Sequence, residues 1–187
     1  MVDVYRLDPA LFRDVIVIRH AQPLIERDRP PSEWRLSTTG RVASYELGAC
    51  LATTGLRRIV TSPEDKARET AEVLADVLGV SVTVDDRLRE VQRPWADGSF
   101  EESVARYLEG ERTEGWEPGE HVVSRFEDFL VNCPSERPIG VVTHGTAMTC
   151  LLAGETAKRA RFWSELTLPN AWAISHEKLT RLHCRRP

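Results

Sequence analysis

The chain has 187 residues, of which 41% are hydrophobic and 29% charged, the proportions of an ordinary globular protein. This length supports one domain with a sizeable core and is short for two, so residues 1–187 are predicted to form a single domain. The formal net charge of −4 gives no basic field, which argues against nucleic acid as a partner. No apolar run approaches the roughly 20 residues of a membrane helix, so we expect no membrane partner.

The amino terminus and the cysteines predict a cytoplasmic protein. The amino terminus carries Asp3 and Asp8 and has no apolar run of signal-peptide length. The cysteines lie far apart, without a C-x-x-C pair, and three fall on apolar helical patterns, which suits buried thiols in a reducing cytosol. The four are Cys50, Cys133, Cys150 and Cys184. The oligomeric state stays open.

The first predicted element is a short strand with charged groups at its end. Val15 to Ile18 are four consecutive β-branched residues, typical of a strand buried on both faces. Arg19 and His20 follow where this strand should end, and Pro23 stops further pairing. This pattern suits an anion site, although a strand that merely ends in a charged turn has the same sequence.

Strands and helices then alternate. A helix is predicted after Ser37, which offers an N-cap. Residues 58–62 form the second predicted strand, which runs into a helix that Ser62 is expected to cap, with Pro63 at its first position. Residues 81–84 are a third predicted strand.

The second half of the chain continues the pattern. Ser99 is predicted to cap a helix, and a further amphipathic helix runs from Val122 to Cys133. Residues 139–143 form a fourth buried strand that ends in His144-Gly145. A hairpin is predicted from 171–175 and 179–183. We therefore predict one α/β domain with a mainly parallel sheet under helices on both faces.

This order of elements brings polar groups to one edge of the sheet. The carboxyl ends of parallel strands lie together, and such folds bind ligands there. His20, Ser62 with Lys66, and His144 all follow predicted strand ends. Histidines and cations at one edge suit phosphoryl transfer, in which a neutral imidazole attacks phosphorus and cations hold the oxygens.

Four short motifs follow one another along the chain: Arg19-His20-Ala21, Ser62-Pro63 through Ala67-x-Glu69-Thr70-Ala71, Leu88-x-Glu90, and Thr143-His144-Gly145. In this order they resemble the motifs of the histidine phosphatase superfamily, also called phosphoglycerate mutase-like. The resemblance extends from Val15 to the segment Leu168-Pro169-Asn170-Ala171. It implies a three-layer α/β/α sandwich around a mainly parallel sheet, without a required cofactor or metal.

The resemblance also implies roles. His20 would be the nucleophile that becomes phosphorylated, and Glu90 the proton donor to the leaving group, which later activates water. Arg19 and His144 would hold phosphate oxygens, with Gly145 beside them. Without the resemblance, the favoured interpretation of Glu90 is a surface carboxylate beside Arg89 and Arg93.

The chain departs from the family pattern in two places. Ala21 and Pro23 replace the glycine and threonine that are common there, so Gln22 is the polar contact left near the phosphate. Lys66 stands where the family usually has an arginine, and lysine keeps the charge but loses the two-pronged geometry. We expect Lys66 to bind phosphate as a point charge; the alternative is a solvated side chain offset by Glu64 and Asp65.

Other residues are ambiguous. Trp34, Trp95 and Phe100 either line the leaving-group pocket or belong to the core and loops. Asn170 is a candidate for supporting the site. The remaining histidines have no partner pattern and are expected to be solvated or structural; they are His121, His176 and His183.

The expected function is therefore a metal-independent phosphomonoesterase that acts on a small phosphorylated metabolite. A phosphoglycerate-type mutase is a second interpretation, and the compact chain favours the phosphatase. A third is a pseudoenzyme that binds phosphorylated ligands, suggested by Lys66 in place of arginine. A nucleotide-binding module lacks its glycine-rich turn. The substrate itself cannot be named from the sequence.

Overall fold

The structure, a computed structural model, describes residues 13–94, 99–133, 136–154, 156–175 and 178–182. The strands in these residues are β1 (Val15–Arg19), β2 (Arg58–Thr61), β3 (Ser81–Val84), β4 (Ile139–Thr143), β5 (Asn170–Ser175) and β6 (Lys178–Arg181). They form a six-stranded sheet in the order β3-β2-β4-β1-β5-β6. The pairs β1–β4, β2–β4 and β2–β3 are parallel, whereas β5 runs antiparallel to β1 and β6. The mainly parallel sheet and the closing hairpin agree with the prediction.

The helices agree with the prediction in two caps and differ at a third. Ser37 and Ser99 accept the N–H groups of Gly40 and Glu102, as expected for N-caps. Ser62 is not the cap of the next helix, because that helix begins two residues after Pro63, and Glu64 precedes it without a side-chain cap. The helices are α1 (Thr38–Leu51), α2 (Asp65–Leu78), α3 (Phe100–Leu108), α4 (Gly119–Asn132), α5 (Gly145–Leu152) and α6 (Thr156–Ser164), the last of which was not predicted.

Two apolar clusters cover the two faces of the sheet. Val15 and Val17 pack into a cluster with α3 to α6, whereas Ile16 and Ile18 pack into one with α1 and α2. Successive side chains of a strand point to opposite faces. The alternation in β1 therefore produces the three-layer arrangement, which confirms the predicted fold class.

The register brings the strand ends together. Arg19 at the end of β1 pairs with Thr143 at the end of β4, and Thr61 of β2 pairs with Val142. The residues that follow these three strands therefore meet at one edge of the sheet, where the site is built.

The cysteines agree only in part with the expectation of reduced thiols. Cys50 is disulfide-bonded, so the expectation of reduced cysteines is wrong at that position. Cys133 and Cys150 are free, and Cys184 lies outside the described residues. Among the described helices, none combines the length and the apolar character needed to cross a bilayer.

Candidate active site

His20 is buried at the end of β1 and held in one tautomer. Its Nδ1 lies 2.7 Å from the Ala21 carbonyl oxygen, which can only accept, so Nδ1 carries the proton and Nε2 is a free base. Burial, the neighbouring His144 ring and the charge of Lys66 hold the pKa of His20 well below its usual value. The ring is therefore neutral at neutral pH, the state a nucleophilic imidazole requires.

Helix α2 fixes the turn that carries His20. The Ala21 N–H donates to Thr70 Oγ1 at 3.0 Å, and the Thr70 hydroxyl donates to the Lys66 carbonyl at 2.7 Å. The turn after β1 and the first turns of α2 therefore move as one unit.

His144 is the second buried histidine and precedes α5. Its ring centroid lies 5.1 Å from that of His20, and its Nε2 lies 2.7 Å from Ser62 Oγ. Burial, reinforced by the charge of Lys66, holds the pKa of His144 well below its usual value. Within the described residues, Nδ1 of His144 is buried and has no hydrogen-bond partner.

Arg19 lies against the amino end of α5. One of its terminal nitrogens donates to the Leu166 carbonyl at 2.9 Å, and within the described ranges its buried Nε has no partner. A Cβ at position 145 would lie 3.0 Å from Arg19 Cζ, so Gly145 provides the space that the guanidinium occupies. Arg19 Nε and His144 Nδ1 are thus two buried nitrogens at one edge of the sheet without a hydrogen-bond partner among the described residues.

Backbone N–H groups hold the Glu90 carboxylate. Val91 N–H (2.9 Å) and Ala147 N–H (2.8 Å) donate to Oε1, and Thr146 N–H (3.2 Å) donates to Oε2. Two of these donors belong to the first turn of α5, where N–H groups lack helical partners. Glu90 is therefore fixed beside His144 rather than lying on the surface.

A buried ion pair fixes the segment that carries Glu90. Arg125 of α4 binds both oxygens of Glu117, at 2.9 and 3.1 Å, and also donates to the backbone carbonyls of Arg87 and Glu90. Burial raises the pKa of Glu117, but the hydrogen bond from Arg125 and further contacts, among them the Gln92 N–H, outweigh it and lower that pKa.

Lys66 lines the same pocket as Arg19, His20 and Glu90. It is only 6% exposed and does not extend into solvent. Its Nζ donates to the Pro31 carbonyl at 2.7 Å and contacts Glu64 Oε2 at 2.5 Å. Arg68, two residues further on, is half exposed and pairs with Asp65. The pocket thus contains a lysine whose charge is matched by a carboxylate.

The pocket extends well beyond these groups, with a cavity volume of about 1350 Å³. Arg93 forms part of its outer wall, and its guanidinium lies 4.5 Å from the Phe100 ring centroid and 5.4 Å from that of Trp116. Gln22 is exposed at the mouth, where its Oε1 accepts from Thr39 at 3.2 Å. The pocket has room for an organic group larger than a phosphoryl group.

The family model of the histidine phosphatase superfamily (branch 1) matches residues 15–180. The chain belongs to the histidine phosphatase superfamily. The resemblance expected from the four motifs is thereby confirmed.

Curated relatives in the superfamily carry the name of a mutase. The chain is 29% identical over 157 residues to the probable phosphoglycerate mutase GpmB of Erwinia tasmaniensis, and 27% identical to that of Klebsiella pneumoniae. Each match covers 74% of this chain and 73% of the relative.

Solved structures of superfamily members share the fold. A mycobacterial glucosyl-3-phosphoglycerate phosphatase superposes with a TM-score of 0.64 at 20% identity, over 84% of this chain and 87% of that chain. Bacillus stearothermophilus YhfR gives a TM-score of 0.65 at 17% identity, over 89% of this chain and 94% of that chain.

The structure brings the predicted site residues of this superfamily member to one place. Asn170 is buried beside Arg19 in the sheet, and its Nδ2 donates to Thr167 Oγ1 at 3.0 Å. His121 is exposed on α4, away from the pocket. Trp95, His176 and His183 lie outside the described residues. The residues brought together are Arg19, His20, Gln22, Lys66, Glu90, His144 and Gly145.

Other residues of the site were missed from the sequence. Arg125 and Glu117 lie far from the motifs along the chain, and no local pattern marks them. Trp116 and Arg93 occur in irregular segments without periodicity. Glu64 did carry a signal, since it precedes Lys66 by two residues, but it entered only the alternative in which it offsets a solvated Lys66.

Proposed function

We propose that this protein is a phosphomonoesterase that hydrolyses a small phosphorylated metabolite through a phosphohistidine on His20. The observation that carries the proposal is the tautomer of His20. Its Nδ1 proton is engaged by the Ala21 carbonyl, which leaves Nε2 as the free base at the pocket. We also propose that the protein is cytoplasmic.

The reaction would proceed in two displacements. His20 Nε2 forms a bond to phosphorus while the ester P–O bond breaks, and Glu90 gives a proton to the departing alkoxide. In the second step Glu90 takes a proton from water, the water oxygen bonds to phosphorus, and the P–N bond breaks to release phosphate. Arg19, His144 and Lys66 would bind the non-bridging oxygens in both steps.

The outer part of the pocket supports an organic leaving group. Phe100 and Trp116 offer aromatic surface, and Arg93 stacked on them offers a cation that burial has partly desolvated. A cation held over aromatic rings is already oriented when a substrate arrives. A metabolite with polar or anionic groups beyond its phosphate would use this wall.

A mutase is the second candidate, and the names of the curated relatives favour it. A mutase would return the phosphoryl group of His20 to the product instead of to water. The two reactions differ in whether a phosphorylated enzyme transfers its label to an added phosphoglycerate or releases it as phosphate.

The test combines turnover with trapping. Incubation with p-nitrophenyl phosphate in the presence of a chelator should give continuous hydrolysis and acid-labile phosphate on His20. His20→Gln should lose both signals, whereas His121→Gln, on the exposed side of α4, should retain them. Hydrolysis that stops in chelator, or label on another residue, would contradict the proposal. Ligand binding without any turnover would instead support the pseudoenzyme.

A further inference from the structure

Glu64 places a carboxylate among the groups that would bind the phosphate. Its side chain is 13% exposed, and its Oε2 lies 2.5 Å from Lys66 Nζ. Its Oε1 accepts the Glu90 N–H at 2.9 Å and lies 3.4 Å from His144 Nε2. The carboxylate is therefore within contact distance of two side chains assigned to phosphate oxygens.

A phosphate oxyanion bound next to the Glu64 carboxylate would be repelled unless a proton lies between the two groups. Two like charges about 4 Å apart repel each other in water, and more strongly in a partly buried site. An oxyanion that carries a proton avoids this cost, because its O–H donates a charge-assisted hydrogen bond to the carboxylate. Lys66 and the Glu90 N–H use two of the roughly four acceptor positions of Glu64, so positions remain for that bond.

We propose that Glu64 makes the pocket selective for oxyanions that share a proton with it. This inference rests on the proposed function and deepens it by naming the form of the substrate phosphate. The substrate would bind as the phosphomonoester monoanion, whose O–H donates to Glu64 while its other oxygens face Arg19, His144 and Lys66. Both ionisation states of a phosphomonoester are present near neutral pH, since the second pKa is about 6.

Inorganic phosphate and sulfate test the proposal because they are tetrahedral oxyanions that differ in whether they carry a proton. At about pH 8 both are predominantly dianions of similar size, but only phosphate carries an O–H. Isothermal titration calorimetry of the wild-type protein should show phosphate binding at least about tenfold more tightly than sulfate, the worth of one hydrogen bond to a charged group.

The variant Glu64→Gln should bring the two affinities within about threefold, mainly by improving sulfate binding, because an amide offers donors to either anion. Asp65→Asn is the matched control, since Asp65 is partly exposed and pairs with Arg68, and it should keep the wild-type ratio. Equal binding of the two anions by the wild-type protein would overturn the proposal even if Glu64→Gln failed to fold, and so would binding of neither anion. An unchanged ratio in folded Glu64→Gln would also overturn it.

These measurements need no turnover, so they separate this proposal from the proposed function. Selective phosphate binding without phosphohistidine formation would refute the phosphatase and leave the role of Glu64 standing. Turnover through His20 together with equal affinities for phosphate and sulfate would support the phosphatase and refute the role of Glu64.

Discussion

Lowering the pH from about 7 to about 5 should destabilise the folded protein, because it contains two buried neutral histidines. Burial holds the pKa values of His20 and His144 well below 6.5, whereas in the unfolded chain each returns to about that value. As the pH falls through 6.5, the unfolded state takes up protons that the folded state does not. Stability is therefore present above this pH and is lost below it.

The size of the effect is limited by the pKa that each histidine has in the unfolded chain. A histidine that titrates near 6.5 in the unfolded chain and takes up no proton in the folded state costs at most about 2 kcal/mol between pH 7 and 5. The upper limit for the two histidines together is about 4 kcal/mol, a large part of the 5–15 kcal/mol that is typical of a folded domain. Carboxylates with lowered pKa values, such as Glu69 and Glu117, act in the same direction but mainly at lower pH.

Urea unfolding followed by tryptophan fluorescence, at several pH values in phosphate-free buffer, measures the effect. Free phosphate must be absent because a ligand of the native state adds stability. The free energy lost between pH 7 and 5 should fall by about half in His20→Gln and stay unchanged in His121→Gln. A His20→Gln protein with the full pH dependence would refute the reasoning, since His20 would then not be the neutral buried group described above.

Three substitutions give further predictions. Arg19→Lys should lower kcat/KM by about 100-fold, because lysine cannot present two donors to phosphate oxygens and no other arginine is assigned to them. Glu117→Gln should destabilise the protein by about 3 kcal/mol, because Arg125 is left as a buried charge without its partner, and should lower kcat by shifting Glu90. Glu69→Gln should raise KM about tenfold with little change in kcat, since Arg35, Arg41 and the Leu36 N–H bind its oxygens and thereby hold the loop before α1.

Matched controls make these outcomes interpretable. Arg27→Lys, at the exposed mouth of the pocket, should change kcat/KM far less than Arg19→Lys. Glu165→Gln removes an exposed helical ion pair and should leave stability and kcat as they are. An Arg19→Lys enzyme with wild-type activity, or a Glu117→Gln protein as stable as the Glu165→Gln control, would contradict the corresponding contacts.

The main outline of the fold was readable from the sequence because it depends on local signals. The β-branched run in β1 and the short apolar run of β4 have the period and length of buried strands, and Ser37 and Ser99 are local caps. Helix α6 was missed because only Phe162 in it is buried, so its apolar pattern is weak. The cap at Ser62 was wrong because α2 begins only at Asp65, and the Ser62 hydroxyl also lies 2.7 Å from His144 Nε2, a partner 82 residues away.

For the site, the sequence alone determined which groups follow the strand ends, and therefore that His20, Lys66 and His144 meet at one edge of the sheet. Only the tertiary structure decided their state. The Ala21 carbonyl selects the tautomer of His20, the first turn of α5 and Arg125 hold Glu90, and Glu64 turns inward to Lys66. Proton positions, burial and charge pairing depend on contacts between distant segments, and no local pattern in the chain encodes them.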